Sequence, residues 1–273
     1  MPSLPRIMIV LWSVLLVLFQ VLQSDQHAFG FAIQRSYLRR NLCPPRNEVL
    51  KRDSHRTSSF ATVFAKDGVL YRQSVCTKDE MESIQQELPG AMKSLTQEQS
   101  SIAQHRFGAS ISKQPGSAIL DILERGSIYS LVQRAVISSL VDSSPKIRLS
   151  QNIPVEVRLY QKPGASMAWH QDDILYDPPQ IEIVFTVENT SDCATLWKVE
   201  HGLHSQETHP NSLLMLQAGG PEHCVTSLRR GRRVILKCAY IMEGATFLGG
   251  ENYKYQFGES KTTSGSQKKK KKR

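Results

Sequence analysis

The chain has 273 residues, of which 40% are hydrophobic, with 5 cysteines and a net charge of +9. This composition excludes disorder throughout, a collagen-like repeat and a disulfide-dense miniprotein, and the length suffices for one large core or two small ones. Because residues 57–260 carry a net charge of −3, the positive excess lies in the two terminal segments and does not predict nucleic acid as a partner of the folded part.

The first 28 residues are predicted to be a signal peptide. Residues 7–22 are apolar apart from Ser13 and Gln20, a run of 16 residues. A relaxed bilayer crossing needs about 20, so the run is short for a permanent span and suits the apolar region of a signal peptide. The alternative is an uncleaved anchor, and only in that case do we expect the protein to associate with a membrane.

Residues 29–60 form a second terminal segment, which is rich in arginine and serine and nearly free of acidic side chains. This composition is typical of an organelle transit peptide, and a disordered linker is the alternative. A signal peptide followed by such a segment, with Phe29 directly after Ala28, resembles the bipartite presequences of algae whose plastids are bounded by secretory membranes. We therefore expect entry into the secretory pathway and a plastid reached through it, with the endoplasmic reticulum as the alternative.

Residues 259–273 are predicted to be a disordered basic tail. Residues 268–273 are all basic and follow a stretch of serine, glycine and threonine, a composition that stays solvated. A nuclear signal, a contact with acidic lipid and a dilysine-type retrieval signal at Lys270 and Lys271 all remain open, although a nuclear address conflicts with the secretory start of the chain.

Two helices are predicted before residue 150. Residues 77–80 read Thr-Lys-Asp-Glu, a capping box, and the helix that it starts should run towards Leu88 and stop before Pro89 and Gly90. The second helix is predicted over residues 127–140, where apolar residues recur at helical spacing. These residues are Ile128, Leu131, Val132, Ala135, Val136 and Leu140.

Five short segments rich in β-branched and aromatic residues follow, separated by turn-forming glycines and prolines. They are residues 155–160, 181–188, 194–199, 212–216 and 234–240. Short strands at this spacing predict an antiparallel sandwich or barrel. The predicted fold class is α+β, a double-stranded β-helix (jelly roll) with supporting N-terminal helices, and the strand at 181–188 is expected to be half-buried.

A candidate metal site begins with the sequence His170-Gln171-Asp172. Side chains two residues apart in an extended segment point to the same side, so His170 and Asp172 can bind one ion. A second histidine, His223, follows 53 residues after His170. Two imidazoles and one carboxylate form a facial triad that leaves three positions of an octahedral ion open. A bulge in the strand would make Asp173 the ligand in place of Asp172.

A candidate anion-binding residue lies beyond the second histidine. Gly231 and Arg233 follow His223 by eight and ten residues. If one strand continues past the turn between them, the even separation lets the side chains of His223 and Arg233 point into the same barrel interior. Because a guanidinium offers two parallel donors that match a carboxylate, Arg233 is a candidate for binding the far end of a dianionic ligand held by the metal.

The candidate metal and anion-binding residues lie within a set of motifs that resembles a known family. Residues 153–242 resemble the catalytic core of the iron(II)/2-oxoglutarate-dependent dioxygenase superfamily, with prolyl hydroxylase-like spacing. The resemblance rests on the motifs V-R-L-Y-x-x-x-G-A at 157–165, H-x-D at 170–172, N-S-L-L-M-L at 211–216 and H-x-V-x5-G-x-R at 223–233.

The resemblance implies a role for each matched residue. His170, Asp172 and His223 would bind Fe(II) as the catalytic metal centre. Arg233 would pair with the distal carboxylate of 2-oxoglutarate, and Tyr160 would add a hydroxyl to that carboxylate. The implied cofactors are Fe(II), with 2-oxoglutarate as the co-substrate and ascorbate as an accessory.

The implied activity is that of an oxidoreductase, with a dioxygenase domain over residues 61–258. It would hydroxylate a peptidyl side chain, a free amino acid or a small metabolite and release succinate and CO2. Prolyl hydroxylases often have lysine where Arg233 stands, and the nucleic-acid demethylases of the AlkB type place their arginines farther beyond the distal histidine. No nucleic acid is therefore expected as a partner.

Two other functions remain open. One is a non-catalytic jelly-roll module that binds a metal or ligand, and the other is a cupin-like zinc hydrolase, which would have no use for Arg233. The sequence also leaves open whether the cysteines are free thiols or form a disulfide. Cys193, Cys224 and Cys238 are expected to be buried thiols, and a Cys224–Cys238 disulfide is the alternative in an oxidising compartment.

Overall fold

The computed structural model describes residues 43, 64, 66–112, 114–137, 146–200 and 202–249. The predicted signal peptide at 1–28, the segment at 29–60, the tail at 259–273 and both ends of the predicted 61–258 domain lie outside these residues. Among the helices of the described residues, none is both long enough and apolar enough to cross a membrane.

The first helix, α1, spans Lys78–Ala91 and confirms the predicted capping box. The Thr77 amide donates to Glu80 Oε2 at 2.8 Å, and the Glu80 amide donates to Thr77 Oγ1 at 3.2 Å. The predicted end before Pro89 is wrong, since the helix continues to Ala91. In the last turn a proline removes only one backbone hydrogen bond, and burial of Leu88 holds that turn against the sheet.

Two further helices follow in the described chain, α2 at Ala118–Arg125 and α3 at Ser127–Ile137. The apolar stripe predicted for α3 is buried over its described length, while residues 138–140 lie outside the description. The prediction had no helix at α2. The N-cap of α2 is Ser117, whose hydroxyl accepts a hydrogen bond from the Leu120 amide at 3.2 Å. This cap is a short sequence signal, because no capping box accompanies it.

Two antiparallel sheets contain thirteen of the fifteen strands of the described residues, and strands are numbered along the sequence. The larger sheet has eight strands, in the order β1-β12-β9-β14-β6-β4-β2 with β5 beside β14. Its strands are β1 Val69–Gln73, β2 Thr96–Gln97, β4 Phe107–Ser110, β5 Ile147–Leu149, β6 Glu156–Tyr160, β9 Ile181–Asn189, β12 Ser212–Gln217 and β14 Arg233–Met242.

The smaller sheet has five strands, in the order β11-β10-β13-β7-β3, and two short strands pair separately. Its strands are β3 Ala103–Gln104, β7 Ser166–His170, β10 Thr195–Val199, β11 Gly202–Gln206 and β13 His223–Val225, and the separate pair is β8 Tyr176–Asp177 and β15 Thr246–Phe247. All five predicted strands exist within about two residues of their expected bounds.

The central strands of the larger sheet are buried on both faces. The outer face of this sheet packs against the three helices through side chains such as Phe185 and Leu236, and its inner face packs against the smaller sheet around Tyr160, Met167 and Ile235. The expectation of a half-buried strand at 181–188 is therefore wrong. Glu182 and Thr186 face the space between the two sheets instead of solvent, and they are 3% and 0% exposed.

A disulfide joins Cys43 to Cys224, with 5.8 Å between their Cα atoms. The expectation that Cys224 is a thiol is wrong, and so is the alternative pairing with Cys238. Cys238 packs in the core under the helices, whereas Cys224 packs with Leu196 on the smaller sheet, so the two cannot meet. Cys193 and Cys238 are buried free thiols, as predicted.

Candidate metal centre

Strands β7 and β13 are adjacent and antiparallel, and His170 and His223 are direct cross-strand partners. Cross-strand partners project from the same face of a sheet, so both imidazoles lie together, with their ring centroids 4.2 Å apart. Asp172 follows His170 by two residues on the same side. One donor atom from each of these three residues lies within 4.8 Å of the others, while Asp173 is exposed and outside the group.

Backbone carbonyls orient both imidazoles. His170 Nδ1 lies 2.9 Å from the Ala168 carbonyl oxygen, and His223 Nδ1 lies 3.1 Å from that of Pro221. Because a carbonyl oxygen can only accept, each Nδ1 carries the proton and each Nε2 keeps its lone pair. His170 Nε2 is buried without a hydrogen-bond partner, and His223 Nε2 is 3.6 Å from Asp172 Oδ2.

The charge states suit metal binding. Burial, reinforced by the neighbouring His223, lowers the pKa of His170 to about 3, and burial also lowers the pKa of His223. Burial acts to raise the pKa of Asp172, but Lys237 and the two histidines outweigh it and hold that pKa below its ordinary value. Two neutral imidazoles and one carboxylate are the forms that bind a metal ion such as Fe(II).

Arg233 begins β14 on the inner face, opposite Tyr160 of β6. It is 1% exposed, its Nη1 donates to Thr195 Oγ1 at 3.1 Å, and its Nε has no hydrogen-bond partner. No carboxylate of the described residues forms an ion pair with it. A buried cation without a counter-ion is costly, so this position fits the carboxylate of a bound ligand. The hydroxyl of Thr186 on β9 is also buried there without a partner.

The turn before Arg233 requires the predicted glycine. Gly231 has φ +76°, and a Cβ at this position would lie 2.1 Å from the Thr190 carbonyl oxygen. Asp192 braces the same turn, because its Oδ1 accepts from the Arg229 amide at 2.9 Å and from the Arg230 amide at 3.3 Å. The turn thereby sets where Arg233 enters the inner face.

Tyr160 lies between two arginines. Its ring centroid is 5.8 Å from the Arg233 guanidinium carbon, and its hydroxyl accepts from Arg106 Nη1 at 3.1 Å. Arg106 in turn donates from Nε to Glu98 Oε2 at 2.7 Å. No sequence pattern indicated Arg106 and Glu98, since both lie more than 50 residues before Tyr160 and belong to no motif.

Comparison of sequences finds no relative, since no protein-family model and no curated protein matches the chain. Comparison of structures does find similar proteins. A Burkholderia pseudomallei oxidoreductase of the 2OG-Fe(II) oxygenase family has a TM-score of 0.51 and 12% identity, over 70% of this chain and 93% of that one. The chain has the fold of these oxygenases.

Two further similar structures have different functions. A Trichoplax adhaerens prolyl hydroxylase, solved with a peptide of the hypoxia inducible factor, has a TM-score of 0.53 and 11% identity, over 68% of this chain and 88% of that one. The α-ketoglutarate-dependent epimerase SnoN of nogalamycin biosynthesis has a TM-score of 0.55 and 11% identity, over 74% and 94%. At these identities the likeness concerns the fold.

The fold also brings Lys237 and Glu182 to the candidate metal centre, and neither residue was predicted from the sequence. Lys237 Nζ lies 3.0 Å from Asp172 Oδ1 and 3.5 Å from Glu182 Oε2. A signal was present for Lys237, because it follows Arg233 by four residues and so shares its face of β14. Nothing in the sequence paired it with Asp172, which lies 65 residues away.

Proposed function

We propose that the protein is an Fe(II)/2-oxoglutarate-dependent dioxygenase on a jelly-roll scaffold, and that it hydroxylates an organic substrate with release of succinate and CO2. One observation carries the proposal. Two imidazoles and one carboxylate converge between the two sheets, with the histidines on the smaller sheet. The buried guanidinium of Arg233, which forms no ion pair with a carboxylate of the described residues, faces the same space from the larger sheet.

When bound, Fe(II) and 2-oxoglutarate would supply an oxidant by decarboxylation of the co-substrate with O2. The chain's own part is to hold and orient. His170, Asp172 and His223 would hold the metal from one face and leave the opposite positions open. The Nδ1 protons of the two histidines, fixed on the Ala168 and Pro221 carbonyls, keep both rings aimed at the same point.

Arg233 would bind the distal carboxylate of 2-oxoglutarate, with Thr195 fixing the guanidinium. Tyr160 lies against Arg233, but its hydroxyl is engaged by Arg106, so its role would be to confine the guanidinium and to contribute its hydroxyl at the edge of the pocket. Burial strengthens the ion pair because little water competes for the guanidinium.

The substrate class that we propose is a peptidyl side chain, a free amino acid or a small metabolite. Support comes from the similar structures, one of which holds a peptide and another of which acts in the biosynthesis of a small molecule. The slightly acidic segment of residues 57–260, with a net charge of −3, favours these substrates over nucleic acid.

The test is succinate release from 2-oxoglutarate by anaerobically reconstituted protein on exposure to O2. Wild type should release succinate slowly without substrate, and His170→Ala should not. His204→Ala is the matched control, since His204 stacks on Trp197 outside the triad. Metabolite and peptide pools are then screened for a product that has gained one oxygen atom.

A non-catalytic binding module is the competing function. It would bind Fe(II) and 2-oxoglutarate, yet release no succinate with any pool. That result, with both ligands shown to bind, would contradict the proposal.

A further inference from the structure

Lys237 lies between two acidic side chains beside the metal centre. Its Nζ is 3.0 Å from Asp172 Oδ1 and 3.5 Å from Glu182 Oε2. Lys237 is 9% exposed and Glu182 is 3% exposed. Water therefore screens this cluster little, and the lysine forms an ion pair with both carboxylates.

Glu182 is held in place from its other side by Gln180, which is fully buried. Gln180 Nε2 donates to Glu182 Oε1 at 3.1 Å and to the Asp173 carbonyl at 2.8 Å, and Gln180 Oε1 accepts from the Leu175 amide at 3.0 Å. Glu182 is thus tied to the same loop that carries Asp172. A second carboxylate is consequently built into the wall next to the metal centre, outside the three-residue donor group.

A divalent ion attracts every carboxylate oxygen within reach. Asp172 offers two oxygens, but Oδ1 is bonded to Lys237 while Oδ2 faces His223 Nε2 at 3.6 Å. Glu182 Oε2 also faces Lys237. The ammonium therefore hydrogen-bonds one of the oxygens that would otherwise compete for the ion and attracts a second at 3.5 Å, and it leaves Asp172 Oδ2 directed at the centre.

We propose that Lys237 is a positioning residue that restricts the acidic donors of this site to Asp172 Oδ2 and holds Glu182 away from the metal. In this way it preserves the open coordination positions that a 2-oxo acid needs. This role rests on the proposed function, because it has meaning only if the ion must accept a bidentate co-substrate.

The role has a consequence that a structural salt bridge would not have. In Lys237→Met, Asp172 can turn both oxygens to the ion and Glu182 loses its cationic partner. The site then gains donors and loses a positive charge. The ion should bind at least as tightly as in wild type, whereas 2-oxoglutarate should bind more weakly because fewer positions stay open.

The experiment measures both affinities by isothermal titration calorimetry, with Mn(II) as an O2-stable substitute for Fe(II). Lys237→Met should bind Mn(II) with equal or greater affinity and should weaken 2-oxoglutarate binding to the Mn(II)-loaded protein by about tenfold or more. The 2-oxoglutarate affinity of Lys237→Arg, which keeps the positive charge, should lie between those of Lys237→Met and wild type. Lys198→Met, which removes an exposed ion pair with Glu222, is the matched control and should match wild type.

The double variant Lys237→Met/Glu182→Gln decides the mechanism. Replacing the acid by an amide removes the surplus donor, so 2-oxoglutarate affinity should recover by severalfold relative to Lys237→Met. Retained Mn(II) binding by Lys237→Met shows that the single variant is folded. Three results would each overturn the role of Lys237. The first is a double variant whose 2-oxoglutarate affinity does not recover. The others are a Lys237→Met variant that binds 2-oxoglutarate as tightly as wild type, or one that no longer binds Mn(II).

Wild type itself separates the two proposals. Wild-type protein that binds no 2-oxoglutarate in the presence of Mn(II) contradicts the proposed function, and the role of Lys237 falls with it. If wild type binds 2-oxoglutarate in a metal-dependent way and Lys237→Met has the same affinities, only the role of Lys237 is overturned and the proposed function stands.

Discussion

The two faces of strands β9 and β14 differ sharply in what they bury. The outer face carries hydrocarbon and aromatic side chains such as Phe185, Leu236 and Tyr240, packed under the helices. The inner face of the same strands carries Glu182, Arg233 and Lys237. Burial of hydrocarbon supplies most of a domain's stability, whereas each buried charge costs free energy unless it is paired. One face therefore supports the fold and the other supports a site.

Pairing within the inner face points to the ligand. Buried Arg158 pairs with Glu156, and buried Arg106 pairs with Glu98. Among the arginines buried in the described chain, Arg233 is the one without a carboxylate partner. We therefore infer that the guanidinium of Arg233 is the group that binds an anionic ligand.

The largest effect on stability should come from the outer face. Phe185→Ala removes a fully buried ring, and we expect the free energy of unfolding to fall by about 3–5 kcal/mol in urea titrations. The neighbouring inner-face variant Thr186→Val is the control. It removes a hydroxyl without a hydrogen-bond partner, so stability should hold or rise by about 1 kcal/mol. Equal losses in the two variants would refute the contrast between the faces.

The disulfide tests whether stability also comes from the smaller sheet. Cys43→Ser should lower the free energy of unfolding by about 2–4 kcal/mol, because the bond constrains an unfolded loop with a sequence separation of 181 residues. Cys193→Ser, at a buried free thiol, is the comparison. Mass spectrometry after alkylation without reductant should find Cys43 and Cys224 protected, and labelling of both would contradict the bridge.

Arg233 should separate binding from stability. Arg233→Met should weaken 2-oxoglutarate binding about a hundredfold, roughly 2.8 kcal/mol. The ligand-free protein should unfold at the same or a higher temperature, since an uncompensated buried charge is removed. Arg230→Met, at an exposed position of the preceding turn, should change neither quantity. A marked loss of stability in Arg233→Met would show that the guanidinium is a structural group.

Asp192 should give a pH-dependent effect. Burial acts to raise its pKa, but hydrogen bonds from the Arg229 and Arg230 amides and the Arg229 side chain outweigh it and lower the pKa. The charged Asp192 therefore contributes its full stabilisation of the folded state above the ordinary carboxyl pKa of about 4. This contribution is lost as the pH falls through the lowered pKa of Asp192. Asp192→Asn should cost about 1.5–3 kcal/mol at pH 7, and the difference should shrink in unfolding titrations near pH 2. A difference that is constant with pH would contradict the account.

The smallest effect should come from the helix cap at the outer layer. Thr77→Ala removes the side-chain acceptor of the capping box, and we expect a loss of about 1 kcal/mol in the free energy of unfolding. Ser83→Ala, within the exposed part of the same helix, is the control, because the Ser83 hydroxyl bonds only to the carbonyl of Asp79. Similar losses in both variants would argue against a specific role for the cap.

Local patterns predicted much of this architecture. The capping box at Thr77, the apolar stripe of α3 and the β-branched runs all report interactions between residues a few positions apart, so they can be read directly. The strand β1 was missed because its five residues form only the edge of a sheet, where pairing with β12 matters more than composition. The helix α2 was missed for a similar reason, since its eight residues carry only a weak cap signal.

The sequence by itself determined that His170 and Asp172 can bind one ion, because side chains two residues apart in an extended segment point to the same side. It did not determine that Arg233 faces them, because His223 lies on β13 of the smaller sheet and Arg233 on β14 of the larger sheet, so the even spacing predicted for one continuous strand does not apply. Only the tertiary structure decided that Lys237 and Glu182 stand beside Asp172, that Arg106 engages Tyr160, and that Cys43 joins Cys224. Those contacts depend on which strands become neighbours and in what register, and no pattern within a single strand encodes that choice.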